Sequence, residues 1–212
     1  VMLLPTVSEA QATSNGKLID TTAAISMKYS LIIGILSTGV FIIFGSSLGD
    51  IVFHNEMAGN FLITLAWLCP FLYFTTTLGS IINGLGKAHL TFFNSIIGLT
   101  IRILFVLYLV PVRGISGYLI GLMASQLAIS TLDIIAVLHN IRITFNAVDW
   151  ILKPVLIMLL VGYFTRHTYQ YLAGAIQINQ LLLLFLCCLF LCICYVVLLF
   201  MTNAVSMKEF RY

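Results

Sequence analysis

The stretch that decides the fold is LLLLFLCCLFLCICYVVLLFM, residues 181–201. It holds no charged side chain, no proline and no glycine. A helix rises about 1.5 Å per residue, so the run reaches about 30 Å, the depth of a bilayer's hydrocarbon core. It reads as a transmembrane helix. Working outward, residues 30–53, 59–83, 90–110 and 115–138 qualify as further spans. Residues 150–164 are short for a span but extend through 171, and residues 1–7 read as the end of another helix. The expected fold is an all-α membrane protein, a polytopic bundle of about six transmembrane helices plus the end of one more.

Composition leads to the same class. Apolar residues make up 61% of 212 positions and charged residues 8%, with a mean hydropathy of +1.11. A soluble domain carries about a quarter charged residues, and this chain could not cover its surface in water. The net charge is +3, with no basic run and no aromatics interleaved with Lys or Arg, so nucleic acid is excluded as a partner. Five cysteines lie in apolar segments: Cys69, Cys187, Cys188, Cys192 and Cys194. A helix spreads the last four over more than one face, so they read as small packing residues, not as a metal site or a disulfide framework. The opening Val1-Met2-Leu3-Leu4-Pro5 has no basic n-region, so no signal peptide is expected. It reads as the tail of a helix whose start is missing, which points to a fragment or a split gene product.

The connectors carry turn residues, as in Gly84-Leu85-Gly86-Lys87, Pro111-Val112-Arg113-Gly114 and Asn140-Ile141-Arg142. Residues 8–29 are the exception. Polar and rich in Ser, Thr and Ala, they read as an interfacial helix joining two spans. Numbering the connectors by side places Lys17, Lys28, Lys87, Arg142, Lys153, Lys208 and Arg211 together, against Arg113 and Arg166 on the other side. The positive-inside rule puts the first side, and the C-terminus with it, in the cytoplasm. The implied organisation is a single lobe over 1–212. Residues 1–29 form a helix end and cytoplasmic connector, 30–142 a four-helix core, and 143–212 two terminal helices.

Polar groups inside a span are costly, and each asks for a reason. Arg102 lies well inside the third span, with Thr91, Asn94, Ser95 and Gly98 on its helical stripe. An arginine this deep faces a polar cavity or an anionic partner, unless it pairs with a carboxylate for packing or snorkels to the interface. The second span carries Thr76, Ser80, Asn83 and Lys87, and the fourth Gln126, Ser130 and Asp133. Each stripe alone reads as helix–helix hydrogen bonding. Three on neighbouring spans point to a shared aqueous cavity. Pro70, in mid-span, should kink its helix.

Catalytic constellations are absent from the sequence. His54, His89, His139 and His167 are scattered, and Asp20, Asp50, Asp133 and Asp149 are far apart. Neither an enzyme nor a cofactor is expected.

Several motifs carry a family resemblance. Leu3-Leu4-Pro5-Thr6-Val7-Ser8-Glu9-Ala10 resembles the stretch that closes a cytoplasmic hairpin in polysaccharide exporters. Pro70 followed by Gly79-Ser80-Ile81-Ile82-Asn83-Gly84-Leu85-Gly86-Lys87 is similar to a helix ending in a QGLGK-like turn in the same proteins. Gly114-Ile115-Ser116-Gly117 resembles their span openings. The group is the stage V sporulation protein B type of the multidrug/oligosaccharidyl-lipid/polysaccharide exporter superfamily. The resemblance covers roughly residues 1–142, and the last two spans match in position and hydropathy only.

The resemblance implies the C-terminal lobe of a two-lobe flippase in the cytoplasmic membrane, with lipid-linked sugars as substrate, membrane lipids as surroundings and an N-terminal lobe as missing partner. Arg102 and Lys28 become candidates for the substrate's pyrophosphate, with Asn94, Asn83 and Lys87 beside them. The second and third spans carry no Asp or Glu to match the sodium site that lipid II flippases of the superfamily can have. Rival readings are a drug or cation antiporter of the same superfamily, for which Asp133 lies too near a span end, and a non-transporting scaffold of sporulation or cell-wall assembly. A membrane-embedded glycosyltransferase would need a longer loop with clustered carboxylates.

Overall fold

The computed structural model describes residues 3–13, 16–141, 145–175 and 179–205. Among them the regular elements are all helical: α1 (Leu3–Ala12), α2 (Gly16–Val52), α3 (Glu56–Ala66), α4 (Cys69–Gly84), α5 (Ala88–Tyr108), α6 (Val110–Arg113), α7 (Ile115–Asn140), α8 (Lys153–Ala175) and α9 (Gln180–Met201). A π-helical turn, Val148–Leu152, leads into α8. Five helices are long and apolar enough to cross a membrane, and the bent pair α3–α4 makes a sixth. The chain is a polytopic all-α protein, as its hydropathy predicts. Arg142, Lys208 and Arg211, used above for orientation, lie outside the described residues.

The polar stretch 8–29 departs from expectation. From Gly16 onward it is the first part of α2, which runs unbroken for 37 residues, about 55 Å. No glycine or proline interrupts residues 17–33. Ile19, Ala23 and Met27 recur every four residues and are all buried, so one face continues the span's packing ridge.

The chain's own contacts form two compact units, Val1–Leu31 with Pro70–Phe145, and Ile32–Cys69 with Asn146–Tyr212. By these contacts most of α2 and all of α3 group with α8 and α9, and α4, α5 and α7 group together. The chain changes unit inside α2, close to where its apolar run begins, and at the Pro70 break, where hydropathy sees an uninterrupted span.

In the first unit, α4 closes on a Schellman turn. Gly86 takes φ 73°, Lys87 N–H donates to Ile82 O at 3.1 Å, and Gly86 N–H donates to Asn83 O at 3.0 Å. A side chain at Gly86 would be strained there. The turn delivers Lys87 to the start of α5, which packs against α7.

In the second unit, α2 and α3 meet backbone to backbone. A Cβ at Gly49 would collide with the main chain of Gly59, and one at Gly59 would touch Ser46 Cα at 3.0 Å. Phe44 is fully buried and meets Tyr169 edge to face, centroids 5.6 Å apart. The Tyr195 hydroxyl donates to Ile32 O at 3.2 Å.

The break in the second span has a specific chemistry. α3 and α4 are bent by 48° across Trp67 and Leu68. Pro70 has no N–H, so the carbonyl four residues back, Ala66 O, loses its helical donor. Thr38 Oγ1, on α2, shares its one proton between Ala66 O at 3.0 Å and Gly34 O at 2.9 Å. Spanning helices tolerate proline where a neighbouring hydroxyl replaces the lost donor in this way.

Candidate functional site

Within the first unit, α5 turns one face to α7 through residues spaced by seven or four: Lys87 at its cap, then Asn94, Gly98 and Arg102. The facing residues of α7 are Asn140, Asp133, Ile129 and Ser125. Lys87 Nζ donates to Asn140 Oδ1. Asn94 Nδ2 donates to Asp133 Oδ1 at 2.7 Å. A Cβ on Gly98 would run into the Ile129 side chain. Arg102 Nε donates to Ser125 Oγ at 3.3 Å. From Lys87 to Asn94 is the same number of residues as from Asn140 back to Asp133, and the next step also matches. The four contacts therefore share one antiparallel register.

Two further contacts tie the seam to its surroundings. Ser125 spends its own hydroxyl proton on Leu122 O at 2.9 Å, so its lone pairs face Arg102. Gln126 Nε2 donates to Thr75 Oγ1 on α4 at 3.1 Å. Asn83 Oδ1 and Thr91 Oγ1 are buried with no hydrogen-bond partner among the described residues.

Of the sequence candidates, Lys87, Asn94 and Arg102 lie on the seam itself. Asn83 is one turn before Lys87 at the end of α4. Lys28 is buried on α2 in the same unit. On the second-span stripe, Thr76 is exposed and Ser80 half-buried. Thr76 and Ser80 return their hydroxyls to their own helix, at Leu72 O and Thr76 O, and α4 reaches α7 through the neighbouring Thr75.

Asp133 sits two turns before the end of α7 and is 1% exposed. The partners Ser125, Thr75 and Asn140 were missed by the sequence reading. For Asn140 the signal was the seven-residue spacing of Gln126, Asp133 and Asn140, two helical turns that return to one face.

Arg102 is half-buried, and Ser125 is its hydrogen-bond partner among the described residues. A guanidinium carries five N–H donors, so four have no acceptor among the described residues. No carboxylate lies within ion-pair distance of it among the described residues. Such a cation inside a span, with free donors in a planar fork, suits an anionic group with several oxygens.

Elsewhere, an apolar cleft between α8 and α9 is lined by Leu160, Phe164, Phe190, Cys194 and Leu198. Among the described residues no three His, Cys, Asp or Glu side chains gather as a metal site. The fold and the seam together define a polytopic α-helical membrane protein with charged and polar groups inside its spans. Comparison of the chain with protein-family models, curated proteins and solved structures finds no match.

Proposed function

We propose that the chain is one lobe of a transporter that flips lipid-linked oligosaccharide or peptidoglycan precursors across the cytoplasmic membrane by alternating access. The observation that carries this reading is Arg102, a guanidinium inside a span with one weak protein acceptor, Ser125 at 3.3 Å. A lipid-linked sugar presents a phosphate or pyrophosphate at the membrane, the oxygen-rich anion that a planar fork binds in bidentate fashion. Lys87, bonded to the neutral Asn140, offers a second uncompensated cation at the other end of the seam. Lys28, Asn94 and Asn83 complete the proposed polar set. Binding of the headgroup would favour one orientation of this lobe against an N-terminal partner lobe, and rocking would expose the headgroup on the other side. In this reading the C-terminus is cytoplasmic.

A second reading, a drug or cation antiporter of the same superfamily, is favoured by the buried carboxyl of Asp133.

The test is flipping of a fluorescent lipid-linked precursor in vesicles that hold the full-length protein. Arg102→Ala is expected to lower the rate at least tenfold at equal reconstitution, with Arg102→Lys between the two. An unchanged rate in Arg102→Ala overturns this reading of Arg102.

A further inference from the structure

We propose that Asp133 is a proton-binding site: in the conformation described, its carboxyl group is held as the neutral acid by a proton taken up from water. The side chain is 1% exposed and lies inside a helix long and apolar enough to span a bilayer. Its hydrogen-bond partner among the described residues is the uncharged amide of Asn94, at 2.7 Å. An ionised carboxylate buried with one neutral donor is strongly disfavoured unless a cation accompanies it.

Among the described contacts of α7, which are with α4, α5 and α6, no charged group supplies that cation. On α5, Lys87 is bonded to Asn140 and Arg102 to Ser125, and both lie about 10–12 Å along the helix axis from Asn94. His89 on α5, Arg113 on α6 and His139 on α7 itself are exposed near helix ends. α4 carries no charged residue. Asn94 donates to Oδ1, which fits the carbonyl oxygen of an acid whose hydrogen sits on Oδ2.

Uptake converts carboxylate plus proton into the acid, and release returns the proton to water when the site is wetted. The site needs no substrate and goes beyond the transport reading. One further step rests on that reading: parting of α5 and α7 would wet Asp133, so proton release would accompany the lobe's movement.

The test is infrared spectroscopy of the purified full-length protein in lipid at neutral pH, in heavy water. A carboxylic-acid carbonyl band is expected that disappears in Asp133→Asn, a neutral isostere able to keep the contact with Asn94. Carbon-13 labelling of aspartate should shift the same band in the unsubstituted protein, so the result survives a poorly folding variant. A spectrum with no Asp133-dependent acid band overturns the proposal, whether or not the protein flips lipid. An acid band in a protein that flips nothing sinks the transport reading and leaves the proton site standing.

Discussion

Asn94 Nδ2 donates to Asp133 Oδ1 at 2.7 Å, joining the middle of α5 to the buried middle of the α5–α7 seam. Asn94→Leu removes the donor and leaves the carboxyl facing hydrocarbon. It should destabilise the protein by about 1–2 kcal/mol, the cost of an unpaired buried polar group. Unfolding in detergent followed by circular dichroism reads this directly, and a variant as stable as the parent would deny the contact any part in holding the helices.

The Thr38 contact makes a prediction about non-additivity. Thr38→Val strands Ala66 O and should cost about 1–2 kcal/mol in the parent chain. Pro70→Ala restores the N–H that Ala66 O lacks and should reduce the bend of 48°. In the Pro70→Ala background, Thr38→Val should therefore cost little. A double-mutant cycle on stability measures the coupling, and strictly additive costs would contradict this account of the break.

The close crossing of α2 and α3 leaves no room for a side chain. Gly49→Leu must push Gly59 and its helix away, at a cost of about 1–3 kcal/mol for overpacking. Gly16→Ala, with nothing near the added carbon, is the matched control and should be neutral or slightly stabilising. Melting temperatures of the two variants side by side decide the matter.

Tyr195 is fully buried on α9, and its hydroxyl reaches Ile32 O. Tyr195→Phe keeps the ring and loses the bond, so the expected loss is about 0.5–1.5 kcal/mol. Tyr195→Ala also opens a cavity and should cost about 3–5 kcal/mol. The gap between the two, measured by chemical unfolding, separates packing from hydrogen bonding.

The class of fold was legible because a bilayer demands long apolar runs, and residues 181–201 meet that demand on composition alone. The kink at Pro70 was legible for an equally local reason, the missing N–H. The continuity of α2 was not. Residues 17–29 are too polar to count in a hydropathy window, and only their four-residue spacing of Ile19, Ala23 and Met27 hints at a packed helix. At the seam, Lys87, Asn94 and Arg102 stood out because charge and amide groups are rare in spans. Ser125 and Thr75 carry no signal alone, since a lone hydroxyl in a helix usually bonds its own backbone.

The shared register of α5 and α7 sets how these helices can slide. A slip of one turn would put Asn94 against Val137 or Ile129, and Arg102 against Ile129 or Gly121, leaving both without polar partners. A slip of two turns in one direction would instead bring Lys87 to Asp133 and Asn94 to Gln126, a new matched set. The observed register and that alternative are about 10 Å apart along the helices, with no matched polar set at the single turn between them.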